Sequence, residues 1–513
     1  MNDPVVEITS GKVRGLDLHD ISAFKGIPYG ASMAGYRRFR PPVPVAPWAG
    51  VRDALAVGPS SPQLMGPTGY PRAPWMDLFG LSDPPDDNQS EDCLVLNVWT
   101  PGLDTGARRP VLFRIHGGGY AIGSGSWNWH DGTNLARRGD VVVVTVNHRL
   151  SPLGYLYLDE LGGDEYAGSG NAGMLDLVLA LEWVRDNVEA FGGDPENVMI
   201  FGESGGGMKV STLLAMPAAA GLFHRAVVQS GPGLRAKSAG DASHYAIKFL
   251  DQLGIAPEQL DRLRDLPTQQ LLDANIALAG GNPQAAMTLQ MPVVDGHTLP
   301  AHPGDALASG VSSSIPLLVG ATRHEVTHFM VMEPGGLPDI DEAAMRARLG
   351  PALEDHLEPV IEAFRHANPD VTTTELCVLI QSQLMMGASS VQLAECKLAG
   401  SSSPVYMYML EWRSPVDARL GAPHGMCVPL TMDNCWSAQW SDVPEARELA
   451  ARMSQAWINF ARDGDPNASD LPEWLPYTLE QRVMMIFDDP CHADDNPYAE
   501  EYASLAGVKS PFG

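Results

Sequence analysis

The chain of 513 residues is 44% apolar and 19% charged, which excludes a disordered polypeptide and allows a large buried core. Its 34 Lys and Arg against 62 Asp and Glu leave a formal net charge of -28, arguing against nucleic acid or an anionic membrane surface as a partner. No apolar run approaches the ~18 residues of a membrane helix, so no membrane span is expected.

The first residues carry no basic segment followed by an apolar one, and residues 5–8 already read as a strand, so no leader is expected. The Gly- and Pro-rich stretch near 58–90 reads as a surface excursion. Short apolar runs follow at 111–115, 141–146, 198–201, 226–228, 315–319 and 405–410, each ending in Gly or a polar turn. Such runs fit strands buried on both faces of a parallel sheet. Between them, 171–189 has a helical pattern, and Leu449, Met453, Ala456, Trp457 and Phe460 repeat at helical spacing. Strands alternating with helices, with no repeat or linker, define an α/β fold of one domain over 1–513. Segments 261–289 and 341–399 interrupt the alternation and read as cap or lid material. The six cysteines are scattered without a C-x-x-C, which suits free thiols and a cytoplasmic location.

Chemistry concentrates at Gly202-Glu203-Ser204-Gly205-Gly206, directly after the apolar run 198–201 and before a helical pattern. A Ser in a sharp strand-to-helix turn projects its hydroxyl from the sheet, and the residues two before and two after must be small because strand and helix nearly touch. Upstream, His116-Gly117-Gly118-Gly119 follows the run 111–115. Its consecutive glycines let the N–H groups of Gly118 and Gly119 approach a substrate oxygen, with Gly205 as a third donor.

A nucleophilic Ser needs a base and an orienting acid, in chain order Ser, acid, His. Among the later histidines, His356 and His366 fall in helical patterns, His492 in a polar tail, and His328 just after the acid. His424 sits in a loop after the run 405–410, where a base is needed. Glu325 follows the run 315–319 through a turn and is the preferred acid. Asp295 is the rival, although its Asp-Gly sequence suits a turn better. A neutral His424 must take the proton, so activity should rise with an apparent pKa of about 6–7.

These residues give the chain a specific likeness. It resembles the type-B carboxylesterases, the branch of the α/β-hydrolases that includes cholinesterases and bacterial p-nitrobenzyl esterases. The likeness is carried by Phe191-Gly192-Gly193-Asp194-Pro195 leading into the Ser204 motif, by Glu91-Asp92-Cys93-Leu94, by Phe24-Lys25-Gly26-Ile27-Pro28-Tyr29 and by Gly320 to Glu325. It implies an α/β-hydrolase fold and a triad of Ser204, Glu325 and His424. It also implies an oxyanion hole of Gly118, Gly119 and Gly205, and Ser230 as a further serine near the triad. Arg40 with Glu91, and Arg149 with Asp176, resemble the family's structural ion pairs. Three departures stand out. Cys93 lacks the nearby cysteine of secreted relatives. Asp83 replaces the tryptophan that holds choline. Cys427 stands where relatives carry a carboxylate linked through water to the acid matching Glu203.

The implied reaction is ester hydrolysis through an acyl-enzyme, on small to medium apolar or aryl esters, with no cofactor or metal required. Trp127, Trp129, Met208, Phe329, Met330 and Met426 lie near catalytic elements in sequence and are candidates for the pocket lining, though a Met at helical spacing suits plain core equally. Cleavage of carbamate, amide or thioester bonds by the same triad is the alternative, since acyl-transfer machinery does not select the leaving group. Two remoter readings differ in class. His324-Glu325-Val326-Thr327-His328 spells the zincin motif H-E-x-x-H, but it shares Glu325 with the triad and lacks the longer continuation. A non-catalytic binding module of the same fold would have lost Ser204 or His424.

Overall fold

Val, Ile and Leu on both faces of a short run can be satisfied only between two layers, and this dictates the architecture. The computed structural model describes residues 3–64, 88–333 and 335–509. The middle of the 58–90 excursion, Asp83 included, lies outside the described residues.

The strands at the start of the chain are β1 (Val5–Ile8), β2 (Gly11–Arg14), β3 (Leu16–Asp17), β4 (Ser22–Pro28) and β5 (Val51–Asp53). Next come β6 (Val95–Thr100), β7 (Arg109–Ile115), β8 (Val142–Val146), β9 (Gly193–Glu203) and β10 (Arg225–Gln229). The remainder are β11 (Lys237–Ser238), β12 (Val293–Val294), β13 (Leu317–Thr322), β14 (Val405–Leu410), β15 (Val483–Phe487) and β16 (His492–Asp495). Eleven of them form one sheet in the order β16-β15-β14-β13-β10-β9-β7-β8-β6-β4-β3. From β8 to β15 neighbours run parallel, and antiparallel strands close both edges.

The sheet's two faces feed two cores. Val111, Phe113 and Ile115 of β7 pack with Leu177, Leu181 and Val184 of the helix Ala172–Asn187 and with Val210 and Leu213 of the helix Gly205–Leu213. Leu112, with Met199 and Phe201 of β9, faces Leu449, Met453 and Trp457 of the helix Pro444–Asp463. Each apolar run is therefore split residue by residue between opposite layers.

In segment 341–399 the helices Glu342–Leu353, Leu357–Ala367 and Thr373–Ser382 gather Met345, Leu349, Phe364 and Leu379 into a core of their own. Segment 261–289 carries the helix Thr268–Leu278, whose Leu271 packs with Phe249 and Leu250. The helical stretch Thr373–Ala399 is long and apolar enough by composition to cross a membrane, but most of it is buried inside the protein. Its apolar side chains are accounted for by packing, and polar residues such as Gln381, Ser382 and Gln383 break the run in sequence.

The ion-pair reading needs one correction. Glu91 is paired by Arg38, whose Nε donates to Glu91 Oε2 at 2.8 Å, and Arg40 pairs instead with Glu165. The cause is Phe39, whose φ of 65° turns the backbone between the two arginines so that they diverge. Arg38 also donates to the carbonyls of Leu263 and Leu266, tying segment 261–289 down. The second pair holds as read: Arg149 Nε and Nη2 both reach Asp176, at 2.8 and 2.6 Å, and both side chains are almost fully buried. Removing one partner leaves the other charge stranded in the core. Asp176→Asn is expected to cost about 3–5 kcal/mol in a denaturant titration, whereas a loss below about 1 kcal/mol would mark the pair as energetically idle.

Candidate active site

The carboxyl ends of β7, β9, β10, β13 and β14, adjacent strands in the sheet, open onto one edge, where ligands bind in open α/β sheets. The order reverses here, since β7 sits between β8 and β9. His116 to Gly119 follow β7, Ser204 follows β9, Ser230 follows β10, and Glu325 and His424 lie on loops after β13 and β14.

Ser204 sits in the turn between β9 and the helix Gly205–Leu213 with φ 56° and ψ -127°, a conformation that L-residues rarely adopt. It is partly exposed while Gly202, Glu203, Gly205 and Gly206 are buried. Its N–H donates to the Gln229 carbonyl at 2.9 Å, and its own carbonyl accepts from Met208 at 3.0 Å. A Cβ on Gly202 would lie 2.4 Å from the Gly206 carbonyl carbon, and one on Gly206 would lie 2.3 Å from the Ile115 carbonyl oxygen. Glycine is obligatory at both positions.

The glycine loop closes against this turn. A Cβ on Gly205 would sit 2.2 Å from the Gly119 carbonyl oxygen, so the two backbones are in contact. Gly118 and Gly119 have φ of 84° and 59°. Among the described residues, no group accepts from the N–H of Gly118 or Gly119. Gly205 opens its helix, so its N–H has no intrahelical acceptor. Three unclaimed donors therefore converge beside Ser204.

His424 Nδ1 lies 2.5 Å from Glu325 Oε2, and Glu325 Oε1 accepts the Thr322 N–H at 2.8 Å. A carboxylate accepts only, so Nδ1 carries a proton toward Glu325, and Nε2 is the nitrogen that can lose or take one. Among the described residues that nitrogen has no hydrogen-bond partner of good geometry, and it faces Glu203 Oε1 at 3.2 Å. Burial opposes the imidazolium, but the charges of Glu203 and then Glu325 outweigh it and raise the His424 pKa to about 9. This exceeds the value expected from sequence, which took an imidazole without two carboxylates around it. Burial likewise raises the Glu203 carboxyl, opposed by His424 and Arg114. Cys427 is fully buried, and burial followed by Glu203 and Glu325 pushes its thiol well up, so it stays neutral.

The other sequence candidates separate. Phe329 is half-buried with its ring 5.1 Å from that of His424, and Trp129 lies beside Gly425. Trp127 packs on Trp129 at 5.8 Å, and Met208 is one turn beyond Ser204. Met426 is fully buried in the core under β14. Met330 packs with the 341–399 helices and lines a cavity of about 430 Å³ with His324, Thr327 and Glu375, whose lining does not include Ser204 or His424. Ser230, φ 46°, is buried and its Oγ has no hydrogen-bond partner among the described residues, while a Cβ on the adjacent Gly231 would lie 1.9 Å from the Ser204 carbonyl oxygen.

Asp295 Oδ1 accepts from the N–H groups of His297, Thr298 and Leu299, the turn role expected of Asp-Gly. In the H-E-x-x-H stretch, His324 Nδ1 accepts from the Ala422 N–H at 3.0 Å, and the helix there is only Thr327–Met330. The stretch is not the long helix that a zincin motif needs, and Glu325 is turned to His424. Sequence reasoning passed over two buried cations, Arg114 on β7 and Lys209 on the Gly205–Leu213 helix. The signal was available: Arg114 is a cation inside the apolar run 111–115, and Lys209 is the one charged residue of its helix. His492, read as tail, is in β16.

A sequence model of the carboxylesterase family matches residues 2–505. The para-nitrobenzyl esterase of Bacillus subtilis (strain 168) is 36% identical over 98% of this chain and 99% of its own. The phenmedipham hydrolase of Pseudarthrobacter oxydans is 33% identical over 95% of each. Among solved structures, the Geobacillus stearothermophilus carboxylesterase at pH 6.2 superposes with a TM-score of 0.84 at 37% identity, covering 98% of this chain and 99% of that one. The chain therefore belongs to the carboxylesterase family and has the α/β-hydrolase fold. It is a carboxylesterase.

The charge arrangement predicts a pH profile. If His424 accepts a proton during turnover, the acidic limb of kcat/KM should fall above the ordinary imidazole value of about 6.5. Glu203→Gln removes the larger raising charge and should move that limb down by about one pH unit or more. A limb that stays in place in the variant would exclude Glu203 as its cause.

Proposed function

We propose that the chain hydrolyses carboxylic esters through an acyl-enzyme on Ser204, with His424 as base and acid and Glu325 as the group that orients it. The observation that carries this reading is the 2.5 Å contact of Glu325 with His424 Nδ1, which orients the ring so that Nε2, beside Glu203 at the strained Ser204 turn, is the nitrogen that exchanges a proton. The Ser204 proton passes to His424 Nε2 as Oγ bonds to the ester carbonyl carbon. The carbonyl oxygen becomes an oxyanion that the N–H groups of Gly118, Gly119 and Gly205 receive. Collapse breaks the bond to the alcohol oxygen, which leaves with the proton from His424. Water then gives a proton to the same nitrogen as its oxygen bonds to the acyl carbon; the bond to Ser204 Oγ breaks, Oγ takes the proton back from His424, and the acid is released.

Phe329, Trp129 and Met208 make the surroundings apolar, which supports small to medium apolar or aryl esters as substrates. The names of the relatives, para-nitrobenzyl esterase and phenmedipham hydrolase, support aryl-bearing substrates as well. All six cysteines are free, which supports a reducing, cytoplasmic setting.

Ser204→Ala should lower kcat/KM for p-nitrophenyl esters by at least about a thousandfold with the near-UV circular dichroism unchanged. Glu325→Gln should remove most of kcat while Asp295→Asn removes little. The opposite order would transfer the orienting role to Asp295.

A further inference from the structure

A buried lysine ordinarily sits against a carboxylate, because taking an ammonium out of water is expensive. Lys209 is fully buried, and among the described residues no carboxylate pairs with it. Its Nζ donates to two backbone carbonyls instead, Gly119 at 2.7 Å and His116 at 3.3 Å. Those two carbonyls bracket the glycine loop, one at its start and one at its end.

The bracketing matters because glycine peptide planes turn over easily, and a turned plane would present a carbonyl where a donor is needed. The Gly118 N–H shares its plane with the Gly117 carbonyl, which bonds to His116 Nδ1 at 2.9 Å. The Gly119 N–H shares its plane with the Gly118 carbonyl, which accepts from Ala121 at 3.3 Å and Ile122 at 3.1 Å. The planes on either side have their carbonyls on Lys209. All four carbonyls of the loop are thus engaged, which leaves the N–H groups of Gly118 and Gly119 to a ligand. Lys209 also lies four residues after Gly205, on the same face of one helix. That helix supplies the third donor from its first residue and grips the loop of the other two from its next turn.

We infer that Lys209 is a positioning residue of the oxyanion site, clamping the 116–119 loop at both ends so that its N–H groups stay aimed beside Ser204. The inference rests on the acyl-transfer reading above. Burial lowers the Lys209 pKa to about 7, and amine and ammonium both keep enough N–H groups for two carbonyls. The neighbouring His116 and His148 rings stack at 4.6 Å. Burial, reinforced by Lys209, keeps both imidazoles neutral, with His116 down to about 3. The amine faces the Tyr120 ring at 5.4 Å, and no carboxylate competes with the two carbonyls for it among the described residues.

The test compares Lys209→Met, which keeps the length and loses the donors, with wild type in three measurements on the full-length protein. These are steady-state hydrolysis of p-nitrophenyl acetate, inhibition by an aryl trifluoromethyl ketone, and the stoichiometry of Ser204 labelling by a fluorophosphonate at completion. The ketone forms an oxyanion adduct and so reports on the donors. The expected result is a loss of kcat of about 10- to 100-fold, with KM within about threefold and the ketone inhibition constant weakened in step with kcat. Labelling should still reach one equivalent. Lys209→Gln, which retains one amide donor group, should lose less on the same two measures, and it takes the place of Lys209→Met if that variant does not fold. A folded variant with kcat and ketone affinity within about twofold of wild type would overturn the clamp, as would a rise in KM alone. Absence of Ser204 labelling and of ketone binding in the wild type would instead overturn the acyl-transfer reading, and the clamp with it.

Discussion

The constraint on which the site depends is the backbone contact between the turn at Ser204 and the glycine loop after β7. Gly205 has its Cβ position 2.2 Å from the Gly119 carbonyl oxygen, Gly202 touches Gly206, and Gly206 touches Ile115. No side chain larger than hydrogen fits at these positions. The contact fixes where the strained Ser204 points, and it brings a helix N-terminus beside the N–H groups of Gly118 and Gly119. Strain at Ser204 is tolerated because the turn is held from two sides, by the hydrogen bonds to Gln229 and from Met208.

Charge is arranged around that contact in a small buried volume. Glu203 and Glu325 flank His424 from its two ring nitrogens, at 3.2 and 2.5 Å. Arg114 sits below on β7 with Nη1 on Gln229 Oε1 at 2.9 Å, and its field favours ionised Glu203. Cys427 contributes no charge, so Glu203 is the only carboxylate that faces Nε2 among the described residues. Two negative groups about one imidazole explain why its pKa rises although burial pulls the other way.

Much of this was legible in the sequence because its causes are local. Runs such as 111–115 and 405–410 announce strands buried on both faces, and the glycines around Ser204 announce close backbone approach. The choice of Glu325 over Asp295 followed from turn chemistry that the structure reproduces. What the sequence hid depends on distance along the chain or on backbone detail. Arg38 rather than Arg40 meets Glu91 because of one positive φ at Phe39. β4 and β6 pair antiparallel, with Phe24 opposite Val98 and Ile27 opposite Leu96, a partnership no window reveals. The elevation of the His424 pKa needed the position of Glu203, and Met426 could not be told from a pocket residue until its packing partners were known.

The central claim is that a carboxylic ester is cleaved through a covalent bond to one serine. The most direct measurement is rapid acid quench of the enzyme with a p-nitrophenyl ester, followed by mass spectrometry of the proteolytic peptides. An acyl group on the peptide containing Ser204, formed with a burst of about one equivalent of p-nitrophenol per site, is the predicted result. Full turnover with no acylated peptide under any quench time, or an adduct on a residue other than Ser204, would contradict it.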